Sequence, residues 1–140
     1  MVKITYGDFE EVEAFIDDIF KKQAADYFSE LRDKEEERIT LVAYHEEQLA
    51  GALVAKRKYD HMYIELLTVD SAFRGQNIGS LLMDEIETIA NAKHIINMTL
   101  KTRSYQAAGF YKKCGYQCYA TLEDMPMKGV AMHYFIKRLV

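Results

Sequence analysis

The sequence predicts an α/β protein built around a central sheet of mixed strand directions. Three observations point there. Segments in which apolar residues alternate with polar ones interleave with segments in which apolar residues recur at helical spacing. Met62 to Val69 (MYIELLTV) is apolar on both pleat faces, as a central strand covered on both sides is. His45-Glu46-Glu47-Gln48 is too short to hold a crossover helix, so the strands it joins are antiparallel neighbours.

Taken in order, Val2 to Tyr6 alternates and reads as a strand. Gly7-Asp8 then opens a helix in which Phe9, Val12, Phe15, Ile16 and Ile19 share a face. A second helix is expected from Ala24 to Leu31, with Ala25, Phe28 and Leu31 on one side. The mixed charge run Glu30 to Arg38 (ELRDKEEER) reads as its solvated end. Ile39 to Tyr44 and Leu49 to Lys58 form the hairpin, Asp60-His61 turns the chain, and Met62 to Val69 follows. Ile78, Leu81, Leu82, Ile86 and Ile89 carry a helix to about Asn91. His94 to Leu100 is a strand, and Ser104 to Cys114 is a short helix stopped by Gly115. Tyr116 to Thr121 and Ala131 to Leu139 are strands. The expected count is about six to seven strands with about four helices.

A chain of 140 residues, 49% apolar and 29% charged, supports one core, hence one domain over residues 1–140. The formal net charge of -4 lacks the basic field that nucleic acid binding needs. No apolar run reaches a membrane span and no signal segment opens the chain, so a soluble cytoplasmic protein is expected. Cys114 and Cys118 are too few for a disulfide framework or a zinc site and are expected to stay reduced. The four histidines, His45, His61, His94 and His133, have no two-His spacing on one helix face, so no metal is expected.

The most informative stretch is the loop after the central strand. Arg74-Gly75-Gln76-Asn77-Ile78-Gly79-Ser80 leads into a helix N-terminus, where backbone amides lack intrahelical partners and the dipole favours an anion. Glycine lets backbone approach a phosphate closely, Asn77 tolerates a left-handed conformation, and Arg74 adds positive charge. Neither a Walker loop nor a dinucleotide fingerprint fits, since Gly-Lys-Ser/Thr and a third glycine are missing.

Leu67-Thr68-Val69 followed by Phe73-Arg74-Gly75-Gln76-Asn77-Ile78-Gly79-Ser80-Leu81-Leu82 resembles the acyl-CoA signature of the GNAT N-acetyltransferase superfamily, Gln/Arg-x-x-Gly-x-Gly/Ala. Arg74 and Gly79 match it, and Asn77 stands in place of the first glycine. Further on, Gln106-Ala107-Ala108-Gly109-Phe110-Tyr111-Lys112-Lys113-Cys114-Gly115-Tyr116 is similar to the family's second signature. The order of elements resembles the family fold over essentially the whole chain.

The resemblance implies acetyl-CoA as acyl donor and a central strand that splays from its neighbour. Backbone groups of Leu67, Thr68 and Val69 would pair with the pantetheine arm, with the Val69 amide facing the thioester carbonyl. Arg74, Gly75, Gln76, Asn77, Ile78, Gly79 and Ser80 would hold the pyrophosphate, and Ser104 falls where many members carry a pantetheine-contacting Asn. Tyr111 matches the family tyrosine that protonates the departing thiolate.

For the base, Glu65 lies two residues before Leu67, which in a regular strand places it on the same pleat face. It could act directly or through water, and the bland alternative is a structural carboxylate paired with Arg or Lys of a neighbouring strand. The expected reaction is acetyl transfer to a primary amine of a small molecule. Protein acetylation and acyl-CoA sensing without turnover stand as alternatives. The acidic positions Asp8, Glu10, Glu11, Glu13, Asp17 and Asp18 point to a cationic acceptor, or simply to a solvated helix face. A homodimer is consistent with the resemblance and with the apolar segment Met132 to Leu139, although such a segment is more often a core strand.

Overall fold

A computed structural model describes residues 1–27, 36–103 and 105–140. The chain divides into two compact units, residues 1–33 and 34–140.

In the first unit, α1 spans Phe9–Tyr27. Asp8 accepts the Glu10 amide through Oδ1 (3.1 Å), and Glu10 and Glu11 in the first turn suit the positive end of the helix dipole. The chain reads through Lys21 to Ala24 without a Gly or Pro to break it, so the helix expected from Ala24 is the last part of α1. Phe28 and Leu31 of that expectation lie outside the described residues. Val2 to Tyr6 forms no strand. Alternation records only which side chains are apolar, whereas a strand exists only where a neighbour completes its ladder.

The second unit holds a six-stranded sheet. Its elements in chain order are β1 (Glu36–His45), β2 (Gln48–Lys58), β3 (His61–Val69), α2 (Ile78–Ala92), β4 (Asn97–Thr102), α3 (Tyr105–Lys113), β5 (Gln117–Leu122) and β6 (Met132–Arg138). The strand order is β1-β2-β3-β4-β6-β5, antiparallel throughout except for β3 and β4, which run parallel and need α2 as their crossover. The expected β1–β2 hairpin is present.

Glu36 to Arg38 belong to β1 rather than to a helix end, which corrects the reading of this part of the charge run, and residues 30–35 lie outside the described residues. The two carboxylates face opposite charges across the pair, Glu36 in register with Lys58 and Glu37 with Arg57, whereas Arg38 faces Lys56 and the two cations share Glu65. The strand expected from His94 starts at Asn97, because His94 takes a left-handed conformation (φ 59°) to close α2 and Ile95 returns its amide to Ala90.

The core lies between one sheet face and the helices α2 and α3. Leu53, Met62, Ile86, Ile95, Met98 and Phe135 are fully buried there. Cross-strand partners share a face, so this near face carries Leu41, Leu53, Ala55, Met62, Met98, Leu100, Phe135 and Lys137. Lys137 binds the two helices to β6, its Nζ reaching Glu87 Oε1 of α2 at 2.8 Å and the Cys114 carbonyl at the end of α3 at 2.9 Å.

Gly115 stops α3 as expected, at φ 92°. A Cβ there would also stand 3.0 Å from Lys137 Nζ. Gly115→Ala is therefore expected to destabilise the protein by about 1–2 kcal/mol, read as a lowered denaturation midpoint. An unchanged midpoint would show that the turn relaxes without strain.

Candidate active site

The site begins where β3 and β4 part. They pair only through His61 with Asn97, Met62 with Met98 and Tyr63 with Thr99, so from Ile64 onward β3 has a partner on the β2 side alone. His61 Nε2 and Thr99 Oγ1, 2.6 Å apart, close the last rungs before the gap. Burial holds the His61 pKa below its usual value, so the ring is neutral at pH 7 and its contribution to stability is lost only as the pH falls below about 6.5.

Backbone direction along this open edge follows from the ladder. Asp70 donates its amide to the Ala50 carbonyl at 2.8 Å, and antiparallel pairs alternate, so Thr68 opposite Ala52 and Leu66 opposite Val54 turn their polar groups toward β2. The N–H and C=O groups of Leu67 and Val69 then face the gap beside β4. That is the edge an extended ligand would join as an added strand.

Beyond the strand, Asp70 Oδ1 accepts the Ala72 amide at 2.9 Å and fixes the short 3-10 turn Ser71–Phe73, with the Phe73 ring against His45 (centroids 5.3 Å). Gly75 takes φ 86° and Asn77 takes the left-handed conformation (φ 59°, ψ 23°) that its residue type permits. Asn77 makes no side-chain cap, and Leu81 is the first helical amide to turn back, to the Asn77 carbonyl at 2.9 Å. Among the described residues the amides of Gly75 to Ser80 meet no backbone carbonyl, which leaves donors and the positive helix end for an anion. Arg74, Gly75, Gln76 and Asn77 are exposed at the loop mouth.

Gly79 also serves packing. A Cβ at Gly79 would lie 3.3 Å from Phe110 Cζ, with Val69 Cγ2 at 3.9 Å, so the missing side chain seats α3 against the start of α2. The same contact places Phe110, and with it Tyr111, beside the C-terminal end of β3.

Tyr111 projects from α3 onto the near face, its ring centroid 5.2 Å from Phe110, 6.3 Å from Tyr116 and 5.9 Å from Phe135. Burial, with a smaller contribution from Cys114, raises the Tyr111 pKa above its ordinary 10.0, so the phenol keeps its proton across the neutral range. Cys114 and Tyr116 are likewise pushed up, chiefly by burial. All three groups bind protons more tightly folded than unfolded, so stability is fully present below about pH 9 and falls as the pH rises beyond it. The melting temperature is expected to drop steadily from pH 9 to 11. A flat profile there would mean that these groups become hydrated without unfolding. Cys114 and Cys118 are free thiols, as expected.

Glu65 departs from the regular strand. In the β2–β3 register Val54 faces Leu66 and Ala55 faces Ile64, which leaves Glu65 as the extra residue of a bulge. The bulge shifts the pleat phase: Met62 and Ile64 face the core before it, Leu67 and Val69 after it. Glu65 therefore does not share a face with Leu67. It lies on the far face, 3.8 Å from Lys56 Nζ and 3.9 Å from Arg38 Nη2. This is the pairing with Arg and Lys that the sequence left open as the alternative for Glu65, and the doublet Leu66-Leu67, which breaks the alternation, signals the bulge that makes it.

Tyr111 and Glu65 thus flank the sheet on opposite faces, and the edge groups of Leu67 and Val69 with the loop amides form a continuous polar track. Ser104 lies outside the described residues. Among the described residues no cluster of His, Cys, Asp or Glu could hold a metal, and no helix is long and apolar enough to cross a membrane.

The acetyltransferase (GNAT) family model matches residues 7–116. The chain is 34% identical over 93 residues to a blasticidin-S acetyltransferase of Streptomyces morookaense, covering 66% of this chain and 68% of that protein. An acetyltransferase structure from Bacillus cereus superposes with TM-score 0.80 at 34% identity over 99% of this chain and 98% of that one. An aminoglycoside 6'-N-acetyltransferase complexed with coenzyme A shares the fold, with TM-score 0.67 at 20% identity over 74% of each chain. With this match and this fold, the chain belongs to the GNAT family of acetyltransferases and is an acyltransferase.

Proposed function

We propose that the protein transfers the acetyl group of acetyl-CoA to a primary amine of a small molecule, by direct attack within a ternary complex. The observation that carries this reading is the open edge of β3, running directly into a loop of free amides at the N-terminus of α2. An extended amide-bearing arm ending in a pyrophosphate matches that track in shape and charge. Acetyl-CoA supplies a thioester, an acyl group activated toward attack.

The protein's groups divide the remaining work. Leu67 and Val69 hold the arm by strand-like hydrogen bonds, and the Val69 amide stabilises negative charge as it builds on the carbonyl oxygen. Glu65, directly or through a water, accepts the proton that the amine loses as the C–N bond forms. Tyr111 gives its proton to the thiolate released when the C–S bond breaks, so one proton leaves the amine and one reaches sulfur. The relatives named for blasticidin S and for aminoglycosides support a small-molecule acceptor.

The test is CoA release from acetyl-CoA with a panel containing blasticidin S, aminoglycosides, polyamines, amino acids and N-terminal peptides, with products identified by mass. Transfer of one acetyl group to a small amine is expected. Labelled acetate appearing only in macromolecules of a cell extract would replace this reading with protein acetylation.

A further inference from the structure

The near face of the sheet at the gap is filled by the core and α3, so an acceptor for the proposed transfer reaches the gap from the far face, where Glu65 stands. Glu65 Oε1 is out of contact with solvent and takes no hydrogen bond. Two cations hold it only by charge, Lys56 Nζ at 3.8 Å and Arg38 Nη2 at 3.9 Å, so Oε1 lacks the hydrogen-bond donor that a buried carboxylate oxygen needs and that an amine entering beside it would supply. The two cations share this one carboxylate and have no other anionic partner among the described residues, and their side chains are 58 and 62% exposed. The next rung is closed on itself, with Lys58 Nζ 3.6 Å from Glu36 Oε1. The charge beside the candidate base is thus a donor-free carboxylate ringed by two half-free cations.

We propose that the acceptor is an amine that also carries an anionic group, a carboxylate or a phosphate, held by Arg38 and Lys56 while the amine meets Glu65. The proposal rests on the acetyl-transfer reading above and narrows its substrate class. A purely cationic acceptor would meet Arg38 and Lys56 as like charges on its way to Glu65, whereas an anionic group gains two charge-assisted contacts there. This reading favours an amino acid or aminoalkyl phosphate over a polyamine.

The test uses the full chain with acetyl-CoA and matched acceptor pairs: β-alanine against its methyl ester, and phosphoethanolamine against ethanolamine, compared at equal concentrations of unprotonated amine. The anionic member of at least one pair is expected to show a KM about tenfold or more lower, and the two pairs distinguish carboxylate from phosphate. Lys56→Gln combined with Arg38→Gln should bring that ratio close to one, and Lys56→Arg should preserve it. Lys93→Gln, which removes a cation paired with Glu37 elsewhere on the sheet, should leave the ratio as in the wild type. A wild-type ratio near one in both pairs, or a ratio that survives in the double variant, overturns the proposal. If no amine is acetylated, the transfer reading has failed, and calorimetric titration of the same pairs onto protein saturated with CoA still decides: tighter binding of the anionic member supports the anion site, and equal binding overturns it.

Discussion

Replacing Arg74 and Gln76 together by glutamate is expected to weaken CoA binding by about a hundredfold or more while leaving the fold intact. Both residues are exposed on the loop between β3 and α2, so neither substitution opens a cavity or buries a charge. The effect is electrostatic: one positive charge is lost and two negative charges are gained beside the free amides of Gly75 to Ser80, where the pyrophosphate is proposed to sit. Gly79 is the wrong residue for this test, because a side chain there would press on Phe110 and confound loss of an anion site with loss of helix packing. Calorimetric titration of CoA into both proteins, repeated at two salt concentrations, checks it. Wild-type affinity should fall as salt rises, and the variant's weaker binding should change less. Equal affinity in the two proteins would remove the loop from the binding site.

What the sequence disclosed and what it withheld follow a physical division. The strand, loop and helix around Arg74 were legible because each leaves a chemical mark: a doubly apolar run, residues suited to unusual backbone angles, and a helical stripe. Asn77 in the left-handed region and Gly115 ending α3 are direct consequences of residue type. The bulge at Glu65 is not a property of one residue. It arises from the register of β2 against β3, and its only trace in the sequence is the doublet Leu66-Leu67. Assuming an unbroken pleat placed Glu65 beside Leu67, and the slip of one residue carries it to the far face with Lys56 and Arg38. The charges of Glu36 to Arg38 were misread for a related reason, since mixed charges serve a solvated helix and a cross-strand ladder equally well. Gly79 shows the limit of a motif: the spacing located it, and only the position of Phe110 shows what its missing side chain accommodates.

Tyr111→Phe is expected to lower kcat by about a hundredfold or more with little change in CoA affinity. Phenylalanine keeps the ring that packs against Phe110, Tyr116 and Phe135, so α3 should stay seated and a loss of rate would report the hydroxyl alone. Burial raises the Tyr111 pKa, and this has two consequences for an acid. The proton is present at every pH at which a typical amine acceptor reacts, so the wild-type rate should rise as the amine is deprotonated and show no falling limb below about pH 10. The phenol is also a weaker acid than a thiol, so it donates to sulfur only as the C–S bond breaks and negative charge builds there, and acidity alone does not drive the transfer. An acceptor pair with different intrinsic reactivity separates the possibilities. If Tyr111 protonates the leaving thiolate, the variant should lose rate with both acceptors and become limited by C–S cleavage. An acyl donor with a more acidic thiol should restore much of the loss. Unchanged kcat in the folded variant would remove Tyr111 from the chemistry, and acetyl-CoA binding without turnover in wild type and variant alike would identify an acyl-CoA sensor built on an acetyltransferase fold.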